Sequence, residues 1–381
     1  FPPEVNGVAM TLGRLADGLR SRGHSVEIVR PRQSGDGPRG SAHDQITVGG
    51  LPIPNYRGLR FGLPATGFLL RRWRRNPPNI VHVATEGPLG ASAIKAARRL
   101  GLPVSSTFHT NFDAYCRHYG LAWLKRPIAG YLRRFHDRCD ATYVPTGALA
   151  QELSRQGYRN VEVISRGVDT RLFNPARRSD ALRASWGALP DDLVVAYVGR
   201  IAAEKNLQTV LDAFAAIRRR QPRAKLVFVG DGPLRKTLAA RHPEHVYAGM
   251  RHGEDLAAHY ASADLFLFPS LTETFGNATT EALASGLGVV AYAEAAAAEI
   301  IRDGRNGQLV PAGDAAAFVA MAADLAANPA LLAAKRECAA SSVAQLDWER
   351  IHDAFATALV CLVKSHAGEH AVGNKLAVAP D

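Results

Sequence analysis

Several features that would assign this chain to a particular class are scarce or missing. It has four cysteines among 381 residues, and Cys116, Cys139, Cys338 and Cys361 are far apart and fit no metal-ligand spacing. Isolated cysteines indicate reduced thiols in a cytoplasmic protein rather than a disulfide framework. The apolar runs are too short to span a bilayer, and no signal-peptide pattern is apparent. The sequence also lacks an Asp-x-Asp motif and a His/Cys cluster, so we predict neither a metal site nor a resident cofactor.

Acidic residues are scarce in the first half of the chain. Residues 1–178 contain 27 Lys and Arg but 12 Asp and Glu, whereas residues 179–381 contain 19 and 23. A basic half beside a mildly acidic half indicates that one domain faces something negative. Anionic lipid, an acidic acceptor and nucleic acid all fit this asymmetry taken alone.

The order of predicted strands and helices indicates an α/β protein. Short apolar segments with strand character alternate with amphipathic helical segments, which favours parallel sheets. At 381 residues the chain is long enough for two domains. We predict an amino-terminal Rossmann-like domain over residues 1–168, a second over 169–347, a helix over 348–366 that crosses back to the first domain, and a mobile tail over 367–381.

The first residues predict a loop followed by an amphipathic helix from Ala9 to Arg22 and a strand from His24 to Pro31. Such an order normally follows an earlier parallel strand, so we expect that a first strand precedes this sequence. Gly7 lies at the predicted helix start, where a residue without a side chain lets a phosphate approach the backbone.

The segment Phe268–Glu281, with the sequence FPSLTETFGNATTE, carries the strongest chemical signal. A buried strand ends at Pro269, and a helix is predicted from Ala278. Glu273 therefore lies before the helix and Glu281 within it. The unpaired N–H groups of a helix start bind anionic oxygens, and carboxylates accept hydrogen bonds from hydroxyls. Together these groups suit a sugar that is joined to a nucleoside diphosphate.

Cations and a histidine follow other predicted strands. Arg200 and Lys205 flank the start of a helix predicted from Glu204 to Arg220, which favours a diphosphate site. His109 follows a predicted strand at the sheet edge where ligands bind in open α/β sheets. Met250 and Arg251 follow a further strand, where backbone groups can contact a base.

Two aromatic and basic segments suggest a surface for a larger partner. LLRRWRR, at residues 69–75, mixes Trp73 with four arginines close to Phe61, Leu63 and Phe68, a composition typical of a membrane interface and also of a solvated helix face. A second segment, residues 115–125, contains tyrosine, histidine, tryptophan and lysine.

Several of these segments resemble one enzyme family. YVGRIAAEKN, VGDGP, ADLFLFPSLTETFGNATTEALASGLGVVA and DGRNGQLV, in that order, are similar to the retaining family 4 glycosyltransferases of GT-B fold. FPPEVNGVA, RGHSVEIV, STFHTNF and SRGVDTRLF resemble the amino-terminal half of the same family. The sequence departs from the family after Tyr292, where AEAAAAE replaces the Gly-Gly pair of many relatives.

The resemblance implies a role for each candidate residue. Glu273 would contact hydroxyls of the transferred sugar, and Glu281 would hold the ribose. Diphosphate contacts would come from the following groups: the side chains of Arg200 and Lys205, Gly7 of the first domain, and backbone N–H groups of Phe275, Gly276 and Asn277. His109 would lie beside the donor sugar and the acceptor. The family also implies retention of configuration without a metal ion.

The predicted function is transfer of a hexose from a nucleotide sugar to a lipid or glycan at the inner face of the cytoplasmic membrane. GDP-mannose is the preferred donor, and a UDP-sugar such as UDP-glucose is the alternative. A sugar-nucleotide epimerase of the same fold would need its own acid and base carboxylates. A nucleic-acid-binding module would explain the basic half but not the conjunction of Arg200, Glu273 and Glu281, so no nucleic-acid partner is predicted.

Overall fold

The computed structural model describes residues 7–33, 36, 44–52, 60–109 and 125–376. The chain divides into two compact units. Among the described residues, the amino-terminal unit contains those up to His109, residues 125–165 and the chain from Glu349 onward, whereas the carboxy-terminal unit contains residues 166–348. Most of the aromatic and basic segment 115–125 lies outside the described residues, as do Phe1–Asn6.

The amino-terminal unit is built on parallel strands flanked by helices. Its strands in the described residues are β1 (Ile28–Pro31), β2 (Gln45–Val48), β3 (Gly50–Pro52), β4 (Arg60–Gly62), β5 (Val81–Val83), β6 (Val104–Thr107), β7 (Ala141–Val144) and β8 (Val161–Val163). Strands β5, β6, β7 and β8 form one parallel sheet in that order; β1 pairs with β2 in parallel, and β3 pairs with β4 antiparallel. Its helices are α1 (Gly7–Ser21), α2 (Thr66–Arg75), α3 (Pro88–Arg99), α4 (Lys125–His136) and α5 (Gly147–Arg155).

The carboxy-terminal unit contains a doubly wound sheet. Its strands are β9 (Val194–Val198), β10 (Lys225–Val229), β11 (Val246–Gly249), β12 (Leu265–Phe268), β13 (Gly288–Tyr292) and β14 (Gln308–Val310). They are all parallel, in the order β11-β10-β9-β12-β13-β14. The strand order reverses between β9 and β12, and the carboxyl ends of strands at such a reversal are where open α/β sheets bind ligands.

Helices cover this sheet and supply its loops. They are α6 (Asp180–Ser185), α7 (Leu207–Arg220), α8 (Arg235–Arg241), α9 (Gly253–Ala261), α10 (Asn277–Ala284), α11 (Ala295–Ile300), α12 (Ala315–Ala326) and α13 (Pro329–Ser342), and α14 (Trp348–Leu376) follows them. Central strands β9, β12 and β13 are buried along their whole length, as expected where helices cover both faces of a sheet.

The last helix belongs mostly to the amino-terminal unit. Arg22 donates to the backbone of Glu349 and pairs with Asp353, and the ring of Phe355 packs edge-on to His82 at 5.2 Å. Helix α14 continues to Leu376, beyond the predicted end at residue 366. Residues 367–376, which were predicted to be a mobile tail, are therefore helical.

Three further differences from the sequence expectation have local causes. The helix predicted from Glu204 is a 3-10 turn over Ala203–Lys205 and then α7, because Asn206 between them adopts left-handed backbone angles. The stretch after Tyr292, where the sequence departs from the Gly-Gly pair of the family, forms α11, whose first residue, Ala295, has a φ of +49°. Helix α13 was not predicted, because its apolar residues do not follow a clear helical repeat.

No helix in the described part of the chain is by itself long and apolar enough to cross a bilayer. Only α12 together with the segment Pro329–Leu346 meets those criteria, and that pair is bent by 98°.

Two glycines fix the turns that follow the central strands. Gly199 directly follows β9 and Gly230 directly follows β10, and Gly230 has a φ of +133°. A Cβ atom on Gly230 would lie 2.1 Å from the carbonyl oxygen of Gly199. The two turns can approach this closely only because Gly230 has no side chain.

We expect Gly230→Ala to lower the free energy of unfolding by about 3 kcal/mol, through a left-handed residue and a clash with fixed backbone. Gly313→Ala is the control, since Gly313 has a φ of +83° but nothing within 4 Å of its Cβ position. That control should cost about 1 kcal/mol. Urea unfolding of both variants measures the difference, and equal midpoints would contradict the clash.

Candidate functional site

The candidate site of the carboxy-terminal unit lies where the strand order reverses. Strands β9 and β12 are neighbours, with Leu265 opposite Val195 and Phe266 opposite Ala196. The turn after β9 carries Arg200 and Lys205, and the turn after β12 carries Glu273. Residues far apart in sequence therefore reach one edge of the sheet.

Lys205 and Glu273 form an ion pair at this edge. The Lys205 ammonium group donates to Glu273 Oε1, and both side chains are largely buried. Ser270 Oγ also donates to Glu273 Oε1, at 2.8 Å. The left-handed residue Asn206, immediately after Lys205, ends the 3-10 turn that holds the lysine in place. The structure thus brings together two of the predicted site residues, one cation and one carboxylate.

Arg166 is a third member of this cluster, and the sequence analysis did not identify it. Its side chain is buried, and its guanidinium carbon lies 5.9 Å from the centroid of the Phe275 ring. Burial lowers the pKa of Arg166 to about 10 and the charge of Glu273 opposes that shift, so Arg166 is cationic at pH 7. The sequence offers one signal for this residue, an arginine directly before Gly-Val-Asp. Residue type alone, however, does not show that the side chain is buried and interacts with a carboxylate.

Arg200 lies on the same turn but has a different partner. Its guanidinium group pairs with Glu204 at 3.2 Å and remains about half exposed. The Tyr197 hydroxyl donates to the Arg200 carbonyl at 3.0 Å, which fixes the backbone of the turn. Arg200 therefore presents positive charge at the edge of the Lys205–Glu273 cluster while its main chain is held.

The start of helix α10 supplies backbone donors. Gly276 is its N-cap, with a φ of +90°, and has no side chain to accept from the first N–H groups. Phe275 is buried, and its carbonyl accepts from the Ala296 N–H at 2.8 Å, which anchors the loop. The side-chain oxygen of Asn277 is buried with no hydrogen-bond partner among the described residues. A buried acceptor beside free amides is a polar lining that a ligand can satisfy.

Glu281 lies one turn further along α10. The Tyr260 hydroxyl donates to Glu281 Oε2 at 2.9 Å. Burial raises the pKa of Glu281 to about 7, against the opposing effect of that hydrogen bond. The carboxyl group is therefore only partly ionised at neutral pH, a perturbation that is typical of functional sites.

The remaining predicted residues lie at other places. Met250 is exposed after β11, whereas Arg251 turns back and donates to the Ala248 carbonyl and to Asp255, both at 2.9 Å. In the amino-terminal unit, Gly7 is exposed in the first turn of α1, and its carbonyl accepts from Thr11. His109 is buried two residues after β6.

The arginine-rich helix α2 only partly matches the membrane-interface interpretation. Trp73 and Leu69 are buried in the core of the amino-terminal unit, so Trp73 is a packing residue and not an interfacial one. Arg72 pairs with Glu27. Arg71, Arg74 and Arg75 are exposed, and Phe68 is 38% exposed.

Family models match both halves of the chain. Residues 5–172 match "Glycosyltransferase Family 4", and residues 192–328 match "Glycosyl transferases group 1". The chain is 35% identical over 321 residues to a "GDP-mannose-dependent alpha-mannosyltransferase" from Mycobacterium tuberculosis, covering 82% of both chains. It is 30% identical to an "Alpha-monoglucosyldiacylglycerol synthase" from Streptococcus pneumoniae, over 81% of this chain and 72% of the relative.

A solved structure shares the fold at low sequence identity. Sucrose-phosphate synthase from Thermosynechococcus elongatus superposes with a TM-score of 0.77 at 19% identity, over 95% of this chain and 94% of that one. The predicted GT-B fold is confirmed by this likeness and by the parallel sheets of the two units. The chain therefore belongs to the family 4, group 1 glycosyltransferases and is a glycosyltransferase of GT-B fold.

Proposed function

We propose that this enzyme transfers mannose from GDP-mannose to a lipid or glycan acceptor, with retention of configuration and without a metal ion. The observation that carries the proposal is the cluster of Lys205, Glu273 and Arg166 at the strand reversal. It supports a sugar-diphosphate donor because one oxygen joins the sugar to its first phosphate. The groups that bind the two parts must therefore lie within a few ångströms of each other. Similarity to the mycobacterial mannosyltransferase supports the choice of mannose and guanosine.

The proposed donor contacts follow from the charge and position of each residue. Glu273 accepts from sugar hydroxyls, and Lys205 and Arg200 hold the diphosphate. The N–H groups of Phe275, Gly276 and Asn277 bind phosphate or sugar oxygens. Glu281 accepts from the ribose hydroxyls, and the backbone at Met250 and Arg251 contacts the base. The roles that the resemblance implies for Gly7 and His109, which belong to the amino-terminal unit, remain predictions.

The bound donor would change the partners of the cluster. In the free protein the charges of Lys205 and Glu273 neutralise each other. A diphosphate attracts Lys205, and sugar hydroxyls donate to Glu273, so the ion pair is exchanged for ligand contacts. The charge of Arg166 also acts on Glu273 and balances the carboxylate when Lys205 turns to phosphate. This is a role for a buried cation that cannot itself lose its charge at neutral pH.

The chemical step depends more on stabilising the charge of the leaving diphosphate than on covalent catalysis by a side chain. As the glycosidic bond breaks, negative charge grows on the leaving diphosphate. Fixed donors aimed at such charge each lower the barrier by about 3 kcal/mol. Lys205, Arg200 and the N-terminal amides of α10 fill the role that a metal ion has in other transferases. We propose attack on the same face as the departing diphosphate, which takes the acceptor proton.

The acceptor and its location form the less specific part of the proposal. Similarity to a glucosyldiacylglycerol synthase supports a lipid acceptor, and it also keeps a glucosyl donor as the alternative. The exposed arginines of α2 would draw the amino-terminal unit to an anionic membrane on the cytoplasmic side. Because Trp73 is buried, this attraction is electrostatic, with Phe68 as an exposed apolar contact.

The donor is tested by following nucleotide release without acceptor. GDP-mannose should be hydrolysed slowly to GDP, while UDP-glucose should release no UDP. Lys205→Met should reduce turnover about 10²–10³-fold, since it removes a donor to the developing charge. Arg166→Lys should retain more activity than Arg166→Met, because it keeps the cation.

Arg219→Gln is the control for these variants, because it removes an exposed cation from the end of α7. It should leave turnover unchanged. Release of UDP but not GDP would contradict the mannose donor. Full activity of a folded Lys205→Met enzyme would contradict the site itself.

Glu281 should make donor binding depend on pH. The group is protonated below a pKa of about 7 and ionised above it. The ionised form accepts hydrogen bonds better, so KM for the donor should rise as the pH falls through 7. Glu281→Gln should show a high KM at every pH between 6 and 8.

Glu281→Gln should weaken donor binding but increase the stability of the folded protein. Because the folded-state pKa is raised, the folded protein binds more protons than the unfolded chain between about pH 4.5 and 7, and stability falls as the pH rises through that window. Glu281→Gln should therefore unfold at a higher temperature than the parent at pH 8 while binding donor more weakly. If Glu281→Gln lowered both donor affinity and unfolding temperature, the result would contradict a ligand-binding role for Glu281.

Membrane association is tested by sedimentation with vesicles. Binding to anionic vesicles should exceed binding to neutral ones and should weaken between 0.05 and 0.5 M salt, that is, as the screening length falls from roughly 14 to 4 Å. The variant with Arg71, Arg74 and Arg75 changed to serine should lose most binding. The matched control changes three exposed arginines of α7, Arg218, Arg219 and Arg220. Equal losses in both variants would contradict a specific patch.

A further inference from the structure

A cluster of metal-ligating side chains lies away from the proposed donor site. The turn between α8 and β11 has the sequence His242-Pro243-Glu244-His245. It precedes strand β11, whereas the candidate donor site follows the carboxyl ends of the strands. No metal site was predicted from the sequence, because this turn contains no cysteine and its two histidines are only three positions apart.

The three ligand atoms converge within this turn. His242 Nδ1 lies 3.6 Å and His245 Nε2 lies 3.5 Å from the same oxygen, Glu244 Oε1. All three ligand atoms lie within 4.8 Å of one another. In a tetrahedral zinc site with bonds of about 2.0–2.1 Å, neighbouring ligand atoms are about 3.3–3.4 Å apart. The turn is therefore close to the required separation without a change in the backbone.

The spacing of the two rings fits the same geometry. The centroids of the His242 and His245 rings are 5.8 Å apart. A shared metal ion about 2.1 Å from each ring nitrogen places two imidazole centroids roughly 5–6.5 Å apart.

Packing holds the turn in this form. The His245 ring packs edge-on to Phe214 of α7 at 5.2 Å, and it is almost fully buried. Tyr247 donates to the carbonyl of His242 at 3.2 Å and to that of Leu238 at 3.1 Å, which ties the end of α8 to β11. A preorganised turn loses little conformational freedom on binding.

A positive charge lies near the turn. Arg218 of α7 is close enough for its charge to act on the His245 ring.

We propose that His242, Glu244 and His245 bind one divalent transition-metal ion, with zinc as the preferred metal. Two imidazoles and one carboxylate suit Zn²⁺, Ni²⁺ or Cu²⁺, whereas Mg²⁺ prefers oxygen ligands in an octahedral arrangement. The ion would fasten helix α8 to strand β11 and leave one coordination position for water. The site takes no part in the proposed sugar transfer.

Titration calorimetry of the full chain with zinc chloride tests this site. We expect one zinc ion per chain with a Kd of about 10 µM or lower, and no heat from magnesium chloride. Zinc should also raise the unfolding temperature, because the ion binds the folded turn. His242→Ala and Glu244→Gln should weaken binding about tenfold or more, since loss of a ligand exceeds loss of an outer-shell partner.

Two further variants separate a true site from general effects. His24→Ala removes an exposed histidine elsewhere and should leave zinc binding unchanged. Arg218→Gln removes a nearby positive charge and should tighten zinc binding about two- to threefold, a gain that misfolding cannot produce. Zinc binding that is absent, or equal in the parent and in His242→Ala, would overturn the proposal. Mannosyl transfer measured in the presence of EDTA tests only the metal independence of the proposed function. It does not test the zinc site.

Discussion

The ion pair between Lys205 and Glu273 is the interaction on which the candidate site depends. It joins the turn after β9 to the turn after β12, across the point where the strand order reverses. An ion pair of two largely buried groups is costly unless further polar partners satisfy it. Ser270 donates to the carboxylate, and the charge of Arg166 acts on it as well. The pair is therefore weak evidence of stabilisation, and it fits the ligand-binding role proposed above.

Under the proposed function, one short segment would contact two parts of the donor. Glu273 lies before helix α10 and Glu281 within it, and between them Gly276 exposes the first amides of the helix. The free protein already holds both carboxylates and these amides in fixed positions. Preorganisation of this kind reduces the reorganisation that the reaction requires.

The two halves of the molecule have different electrostatic tasks. The surplus of Lys and Arg lies in residues 1–178, which include the exposed arginines of α2. The cations that matter for the proposed chemistry are few and lie in the carboxy-terminal unit. Total charge therefore points to the surface that is proposed to meet a membrane, whereas individual buried charges belong to the proposed donor site. Trp73 illustrates this difference. Composition made it a candidate for membrane contact, but its side chain is buried in the core of the amino-terminal unit.

The sequence by itself determined the fold class and the elements that carry the site. Uncharged strands such as β9 and β13 and the loop-to-helix change at Gly276 are local patterns, because each depends on neighbouring residues in the chain. Only the tertiary structure decided which charges meet. Arg166 stands 107 positions before Glu273, and Glu281 is 21 positions from Tyr260, so no local pattern reports the charge interaction of the first pair or the hydrogen bond of the second. The break at Asn206, the burial of Trp73 and the raised pKa of Glu281 likewise depend on packing from elements that are distant in sequence.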